Sequence, residues 1–385
     1  MQRTYAFVVF LCLVLAQAWP ATAADQPFDL SRAVSRLVAS GAPGAVALIR
    51  EGESQAFAAA GVADLTTKRP IDRHDIWRIA SVTKLATAAV VMQLVAEGKV
   101  DLAAPLGRYV AGLPKRQADL TIEQLLNQST GMPEYLTLGN DIMSAVAIKR
   151  MLARRPPQQT LVTRALNEKW TPVGREHNYS NTNYVFLDRL IEAVEEKPFR
   201  AVIQARVIAP LGLTRTGFPS VTGELPRGHI RAYLPGDGRK GPLTDYARWA
   251  DVTIHPYALG GDGGLYANVD DLTHLLEALW SGQLLPAGSL KRMVADPIQD
   301  HDGRYLYGLG IMMVDLPCGV RIYGHDGRDL GSTTLAFVDP AKGRRLVVTV
   351  NTIADGNPRL DAALTELQTA AFCSRRVSMV PSRDS

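Results

Sequence analysis

Two short, mostly apolar stretches open the globular part of the chain. Val46–Arg50 and Gln55–Val62 read as strands joined by the charged turn Glu51-Gly52-Glu53. The pattern then changes period. Ser81–Glu97 is rich in Ala, Val and Leu with almost no polar face, and Gly98 follows it. A helix that is apolar nearly all round is a buried one, and a glycine just past its end is a stop signal. Thr121–Gln128 opens on Thr-x-x-Gln, which predicts a capping box at Thr121 and Gln124. Asn183–Glu196 and Asp270–Ser281 carry helical period. Thr333–Val338 and Arg345–Val350 read as a hairpin across Asp339-Pro340 and Ala341–Arg344. Pro358–Phe372 is a last amphipathic helix, and the polar Ser374–Ser385 reads as a disordered tail.

Strands thus stand near both ends of the chain and helices fill the middle. The simplest assembly is one antiparallel sheet made of N- and C-terminal strands, flanked by helices, with an all-helical lobe inserted. This α/β (α+β) reading gives a sheet lobe from about 24–80 and 300–373 and a helical lobe from about 81–299. The active cleft is expected where the lobes meet.

The first residues do not belong to that pattern. Arg3, the apolar run Ala6–Trp19 and Ala21-Thr22-Ala23 make a three-part secretory signal with cleavage after Ala23, so residues 1–23 are set apart from a domain over 24–373. A membrane anchor is the alternative, but about 20 apolar residues are needed to span a bilayer. The expectation is export to the periplasm or medium, with no stable membrane anchor.

Composition alters this picture little. Of 385 residues 46% are hydrophobic and 21% charged, as in a soluble globular protein, which excludes disordered and coiled-coil classes. The 42 basic and 38 acidic residues are interspersed, so no nucleic-acid footprint is expected. Three cysteines are too few for a disulfide scaffold or an iron–sulfur protein. Cys12 leaves with the signal, so Cys318 and Cys373 would be alone in an oxidising compartment. Cys318 precedes the strand before the C-terminal hairpin, and the last helix returns Cys373 to the same end of the sheet. A disulfide is expected, with two buried thiols as the alternative.

Three short motifs carry chemistry. Ser81-Val82-Thr83-Lys84 is S-x-x-K at the head of the buried helix. Residues i and i+3 share a helix face, so the Lys84 amine can reach the Ser81 hydroxyl. Burial favours the neutral amine, which can take the serine proton and make a nucleophile. Tyr179-Ser180-Asn181 precedes a helix; a phenol can relay a proton, and an Asn amide can bond both a lysine and a substrate carbonyl. A copy, Tyr266-Ala267-Asn268, is read instead as a helix start with Asn268 as N-cap. His325-Asp326-Gly327 follows an apolar strand, whereas its copy His301-Asp302-Gly303 sits in a polar loop, so the later one is preferred. A strand edge there can lend a backbone N–H, and Gly327 allows close substrate approach. No Gly-x-Ser-x-Gly, no His-Glu-x-x-His and no metal-ligand cluster occurs in the sequence, so neither metal nor cofactor is expected.

These motifs, in this order and spacing, resemble the penicillin-recognising serine hydrolases: class C β-lactamases, D-alanyl-D-alanine carboxypeptidases and related esterases. Leu125–Gly131, Tyr307-Gly308-Leu309-Gly310 and Leu279–Leu284 fit the same family, and the look is that of its secreted carboxypeptidases. The resemblance implies a β-lactamase/transpeptidase-like fold and hydrolysis of an amide or ester through an acyl-enzyme. It implies Ser81 as nucleophile, Lys84 and Tyr179 sharing the general-base and general-acid work, and Asn181 holding Lys84 and the substrate amide. His325 would stand for a lysine and supply positive potential near Tyr179. The oxyanion hole would be the N–H groups of Ser81 and Arg328. The substrate would be a small molecule or peptide with an acyl group, such as a cell-wall peptide or a β-lactam.

Two positions depart from the pattern. Gln128 stands where the family has His. Asp326 stands where a Thr or Ser hydroxyl would bind the substrate carboxylate, and an acid facing the cleft would repel it. An esterase, or a catalytically silent binding protein on the same fold, are the alternatives.

Overall fold

The computed structural model describes residues 27–136, 157–174, 176–235, 249–254 and 260–381. The signal segment 1–23, with Cys12, lies outside them. Two alternating strands, β1 (Gly44–Glu51) and β2 (Ser54–Gly61), follow helix α1 (Leu30–Ala39) and form one edge region of a nine-stranded sheet. The rest of that sheet comes from the C-terminal third: β3 (Ile298–Gln299), β4 (Leu306–Tyr307), β5 (Met312–Asp315), β6 (Arg321–Asp329), β7 (Ser332–Asp339), β8 (Arg344–Val350) and β9 (Val380–Pro381). The order is β9-β2-β1-β8-β7-β6-β5-β4-β3, and every pairing is antiparallel. The hinge between the two chain ends is β1 on β8, with Leu48 opposite Val347.

Alternation along the central strands builds two cores. Ala45, Ala47 and Ile49 of β1, with Leu346, Val348 and Val350 of β8, face α1 and the last helix, α8 (Pro358–Cys373). Val46, Leu48 and Val347 face the opposite way, toward α2 (Thr83–Ala96) and α6 (Val269–Ser281). The shift of one residue between strand faces thus divides the protein into helix, sheet and helix layers. In α2 nearly every side chain from Thr83 to Leu94 is buried, as its unbroken apolar pattern predicts. The Thr121 capping box is present at the head of α3 (Ile122–Leu126), and Asn268 caps α6 by accepting from the Asp271 N–H.

Three features differ from the sequence expectation. Helix α6 lies against β1 and β8, with Arg345 paired to Glu277, so a helix assigned to the inserted lobe covers the sheet. The tail expected to be disordered runs back along the molecule as far as 381. Phe28 N–H donates to the Arg376 carbonyl, Ser378 N–H to that of Phe28, and β9 pairs with β2. Its Val377 and Met379 also pack against the core under the sheet; residues 382–385 lie outside the described ones. Helix α1, absent from the sequence reading, is an amphipathic segment capped by Asp29.

Cys318 and Cys373 are bonded, with Cα atoms 5.8 Å apart and a sequence separation of 55. The bridge ties the turn before β6 to the end of α8. Closing a loop of that length stabilises by about 2–4 kcal/mol, mainly by restricting the unfolded chain.

Candidate active site

The backbone bends sharply just before Ser81. Ala80 has φ of +48°, the left-handed region that side chains other than glycine disfavour. A single 3₁₀ turn over Ala80–Val82 follows, and only then does α2 begin at Thr83. Ser81 therefore stands on a turn ahead of the helix rather than in it, with its side chain on a cleft of about 710 Å³. Strand β6 lies alongside. A Cβ on Gly327 would come 2.2 Å from the Ile79 carbonyl oxygen, so only glycine lets the strand approach this turn. The Arg328 N–H is the next one along that strand.

Lys84 is fully buried one helical turn on. Its Nζ is 3.0 Å from Ser81 Oγ, 2.6 Å from Asn181 Oδ1 and 2.5 Å from the Asp262 carbonyl oxygen. Burial pulls its pKa down from 10.5 to about 8, with the nearby acids, Asp262 foremost, opposing that pull. At pH 7 about one amine in ten is then neutral. The geometry decides what a neutral amine does here. Both Asn181 Oδ1 and the Asp262 carbonyl can only accept, so they take the two N–H bonds. The lone pair is left for the Ser81 hydroxyl, whose proton it can receive.

Tyr179 sits over the same group, with Nζ 4.9 Å from its ring centre. Burial pushes its pKa well above 10, against a hydrogen bond with Ser81 that lowers it. It is a phenol, suited to donate a proton rather than to remove one. The loop that carries it is fixed by Gln128 and Glu134. Gln128 Oε1 accepts from Ser180 N–H (3.0 Å) and from Asn183 Nδ2 (2.5 Å), while its own carbonyl accepts from Asn178 N–H (2.8 Å). The residue that replaces the expected His is thus a brace for Tyr179 and Asn181. Glu134 Oε2 accepts from Asn181 N–H at 2.7 Å. Ser180 is the N-cap of α5 (Asn181–Glu195), so the helix starts at Asn181, two residues earlier than its period suggested.

His325 requires a correction. It was expected to bring positive charge near Tyr179, and it is neutral. The ring is entirely buried, and burial together with the Lys84 charge pushes its pKa down to about 3. Nδ1–H donates to the Asp326 carbonyl at 2.5 Å, which leaves Nε2 to accept from Tyr307 Oη at 3.0 Å. Its ring lies 6.2 Å from that of Tyr179, and it props the strand and the aromatic wall behind the site.

Asp326 lines the cleft with Ser81, Tyr179 and Asn181. Arg328 lines it too, but its guanidinium is already shared among Asp326 (3.4 Å), Asp355 and Asp361 (3.5 Å). The rejected copies lie apart in role. Tyr266 pairs in a short ladder with Arg78, and Asn268 is a helix cap. His301 is on an exposed turn whose Asp302 pairs with Arg304. Among the described residues no three His, Cys, Asp or Glu side chains are grouped to hold a metal ion. No helix among them is long and apolar enough to cross a membrane.

Residues 30–371 match the family model described as Beta-lactamase. Esterase EstB of Burkholderia gladioli is 31% identical over 278 residues, which cover 66% of this chain and 69% of the esterase. Penicillin-binding protein 4* of Bacillus subtilis (strain 168) is 24% identical over 292 residues, 73% of this chain but only 62% of that protein, so this chain spans less than two thirds of its length. Among solved structures, a D-stereospecific amidohydrolase from Streptomyces sp. superposes with a TM-score of 0.74 at 30% identity, covering 89% of this chain and 97% of the other. The chain therefore belongs to the Beta-lactamase family, serine hydrolases on a β-lactamase/transpeptidase-like fold that include carboxypeptidases, esterases and amidases.

Proposed function

We propose that the protein is a serine hydrolase that cleaves an ester or amide bond in a small molecule or short peptide through an acyl-enzyme on Ser81. The observation that carries this reading is the Lys84 amine, whose two obligate acceptor neighbours leave its lone pair for the Ser81 hydroxyl. Ser81 Oγ attacks the carbonyl as Lys84 takes its proton. The N–H groups of Ser81 and Arg328 receive the developing oxyanion. Tyr179 passes a proton to the leaving group, and water later releases the acyl group. Intact-mass measurement after incubation with an activated ester and with a fluorescent penicillin tests the proposal. An adduct that maps to Ser81 is expected; a chain that turns over neither probe and gains no mass is a silent binding protein.

The acidic wall of the cleft favours one kind of substrate. A free carboxylate beside the scissile bond would meet Asp326, and an Arg328 already engaged by three carboxylates. Neutral esters and amides suit this cleft better than a peptide ending in D-alanine or a penicillin, which the sequence resemblance puts first. Asp326→Thr is expected to raise kcat/KM for a D-alanyl-D-alanine peptide or a penicillin by about tenfold, the order expected for one like charge in a partly exposed site. A neutral ester should change by less than about twofold on the same reasoning. Equal gains for both substrates would show that Asp326 does not sense the carboxylate. Export after cleavage at Ala23 is part of the same proposal, and the Cys318–Cys373 bridge supports it, because such a bond persists in an oxidising compartment.

A further inference from the structure

The segment Gly260–Gly264 passes behind Lys84 and is pinned from three sides. Gly261 N–H donates to both carboxylate oxygens of Asp188, at 2.9 and 3.1 Å. The Gly261 carbonyl accepts from Thr87 Oγ1 at 2.9 Å. The Asp262 carboxylate accepts from Tyr135 Oη at 2.6 Å and from Gly260 N–H at 3.0 Å. A Cβ on Gly260 would stand 1.9 Å from Asp188, and one on Gly261 2.4 Å from Thr87 Oγ1, so the glycines are what let the backbone come this near. The product of these restraints is one fixed carbonyl, that of Asp262, set 2.5 Å from Lys84 Nζ.

The turn itself does not need an acid. A neutral amide could keep the Gly260 N–H bond on its oxygen and donate from its nitrogen to Tyr135 Oη, and burying a carboxylate is unfavourable. Asp262 is only 1% exposed, and burial raises its pKa. A charge at that position acts through space on the nearby Lys84 ammonium, which touches the backbone carbonyl of the same residue. We propose that Asp262 is a positioning residue for Lys84: its carboxylate, anchored on Tyr135 and Gly260, fixes its own carbonyl on Nζ and supplies the buried negative charge that opposes the ammonium. The inference deepens the Ser81–Lys84 reading and rests on it.

The other groups around Nζ are named by element. Asn181 and the more distant Asp188 come from α5, Glu134 from the segment after α3, and Asp326 and the neutral His325 from β6. The rings of Tyr179 and Tyr184 cover it. Of the acids, Asp262 acts most strongly on Lys84. Removing its charge therefore lowers the proton affinity of the amine, and the amine becomes neutral at a lower pH.

The experiment follows Lys84 directly and through catalysis. In protein carrying ¹³C-labelled lysine, the Lys84 Cε resonance, assigned with Lys84→Ala, is titrated in wild type and Asp262→Asn. In parallel kcat/KM for p-nitrophenyl acetate is measured across pH. The wild-type midpoint is expected near 8, and the variant's lower by about one pH unit. The rising limb of kcat/KM should move by the same amount, and its plateau should fall about tenfold. If Asp262→Asn does not fold, Tyr135→Phe keeps the charge and frees its anchor, and a lower plateau with the midpoint within about half a unit of wild type is expected. An unmoved Lys84 midpoint in folded Asp262→Asn, or an unchanged plateau in Tyr135→Phe, overturns the proposal. If ester turnover does not depend on Ser81, the hydrolase reading fails instead, and the resonance titration still reports whether Asp262 acts on Lys84.

Discussion

Ser81→Ala is expected to remove ester turnover by a factor of about 10⁴ or more and to leave no covalent adduct with either an ester or a penicillin. The magnitude follows from what the hydroxyl does rather than from what it packs against. Lys84 has one useful proton to accept, and it comes from Ser81 Oγ at 3.0 Å. Without that oxygen no bond can form to the substrate carbonyl, and only the oxyanion donors and binding remain to help water. The side chain faces the cleft and lies outside the helix, on the turn that begins at Ala80. Its loss therefore leaves both cores intact, and Tm should hold within about a degree or two, as for a substitution outside the core. Steady-state rates, intact mass and a thermal melt on one preparation check all three statements. A variant that still hydrolyses the ester at the wild-type rate would place the chemistry elsewhere in the molecule.

Lys84 and Tyr179 should each matter by about a hundredfold or more, and jointly by far less than the product. Both touch the same hydroxyl: the amine by its contact with Oγ, the phenol by the hydrogen bond that tempers its own raised pKa. Once Lys84→Ala has removed the base, Tyr179→Phe has little concerted transfer left to disturb. In wild type kcat/KM should climb as pH rises through about 8, because the neutral amine is the active form. No falling limb from Tyr179 is expected below pH 10, since burial keeps it a phenol there. Tyr266→Phe is the control: it shares the short motif but sits in the ladder with Arg78, and its rate should stay within about twofold of wild type. Measured losses that simply multiply would mean that the two groups act on separate steps.

Much of this arrangement was legible in the chain because it is local. The i, i+3 spacing of Ser81 and Lys84 reports a shared face, and an apolar helix reports its own burial. The strand character of β1 and β8 was legible in their apolar runs, and the fold then sends neighbours such as Val46 and Ala47 to opposite cores. The cysteine pairing followed from the order of strands and the return of α8. What stayed hidden depends on distant partners. Glu134 and Asp262 have no spacing relation to Lys84, and only the folded chain brings their acids near its amine. The neutrality of His325 is likewise a property of its surroundings, set by burial and by a charge from another element. The tail beyond Ser374 looked disordered because its few apolar residues, Val377 and Met379, find a core to pack on only once β2 and Phe28 are in place.

The buried amine also has a thermodynamic side. A lysine whose pKa falls from 10.5 to about 8 on folding binds its proton less well in the native state than in the unfolded one. Below pH 8 folding must carry the full penalty of about 3 kcal/mol, from a drop of roughly 2.5 units at 1.36 kcal/mol each. The penalty fades as pH rises from 8 to 10.5, where the unfolded chain also gives up the proton. The feature that readies Ser81 is therefore a standing load on the fold at neutral pH. The two cores and the Cys318–Cys373 bridge hold the native state against it, at the pH where the amine is only partly neutral.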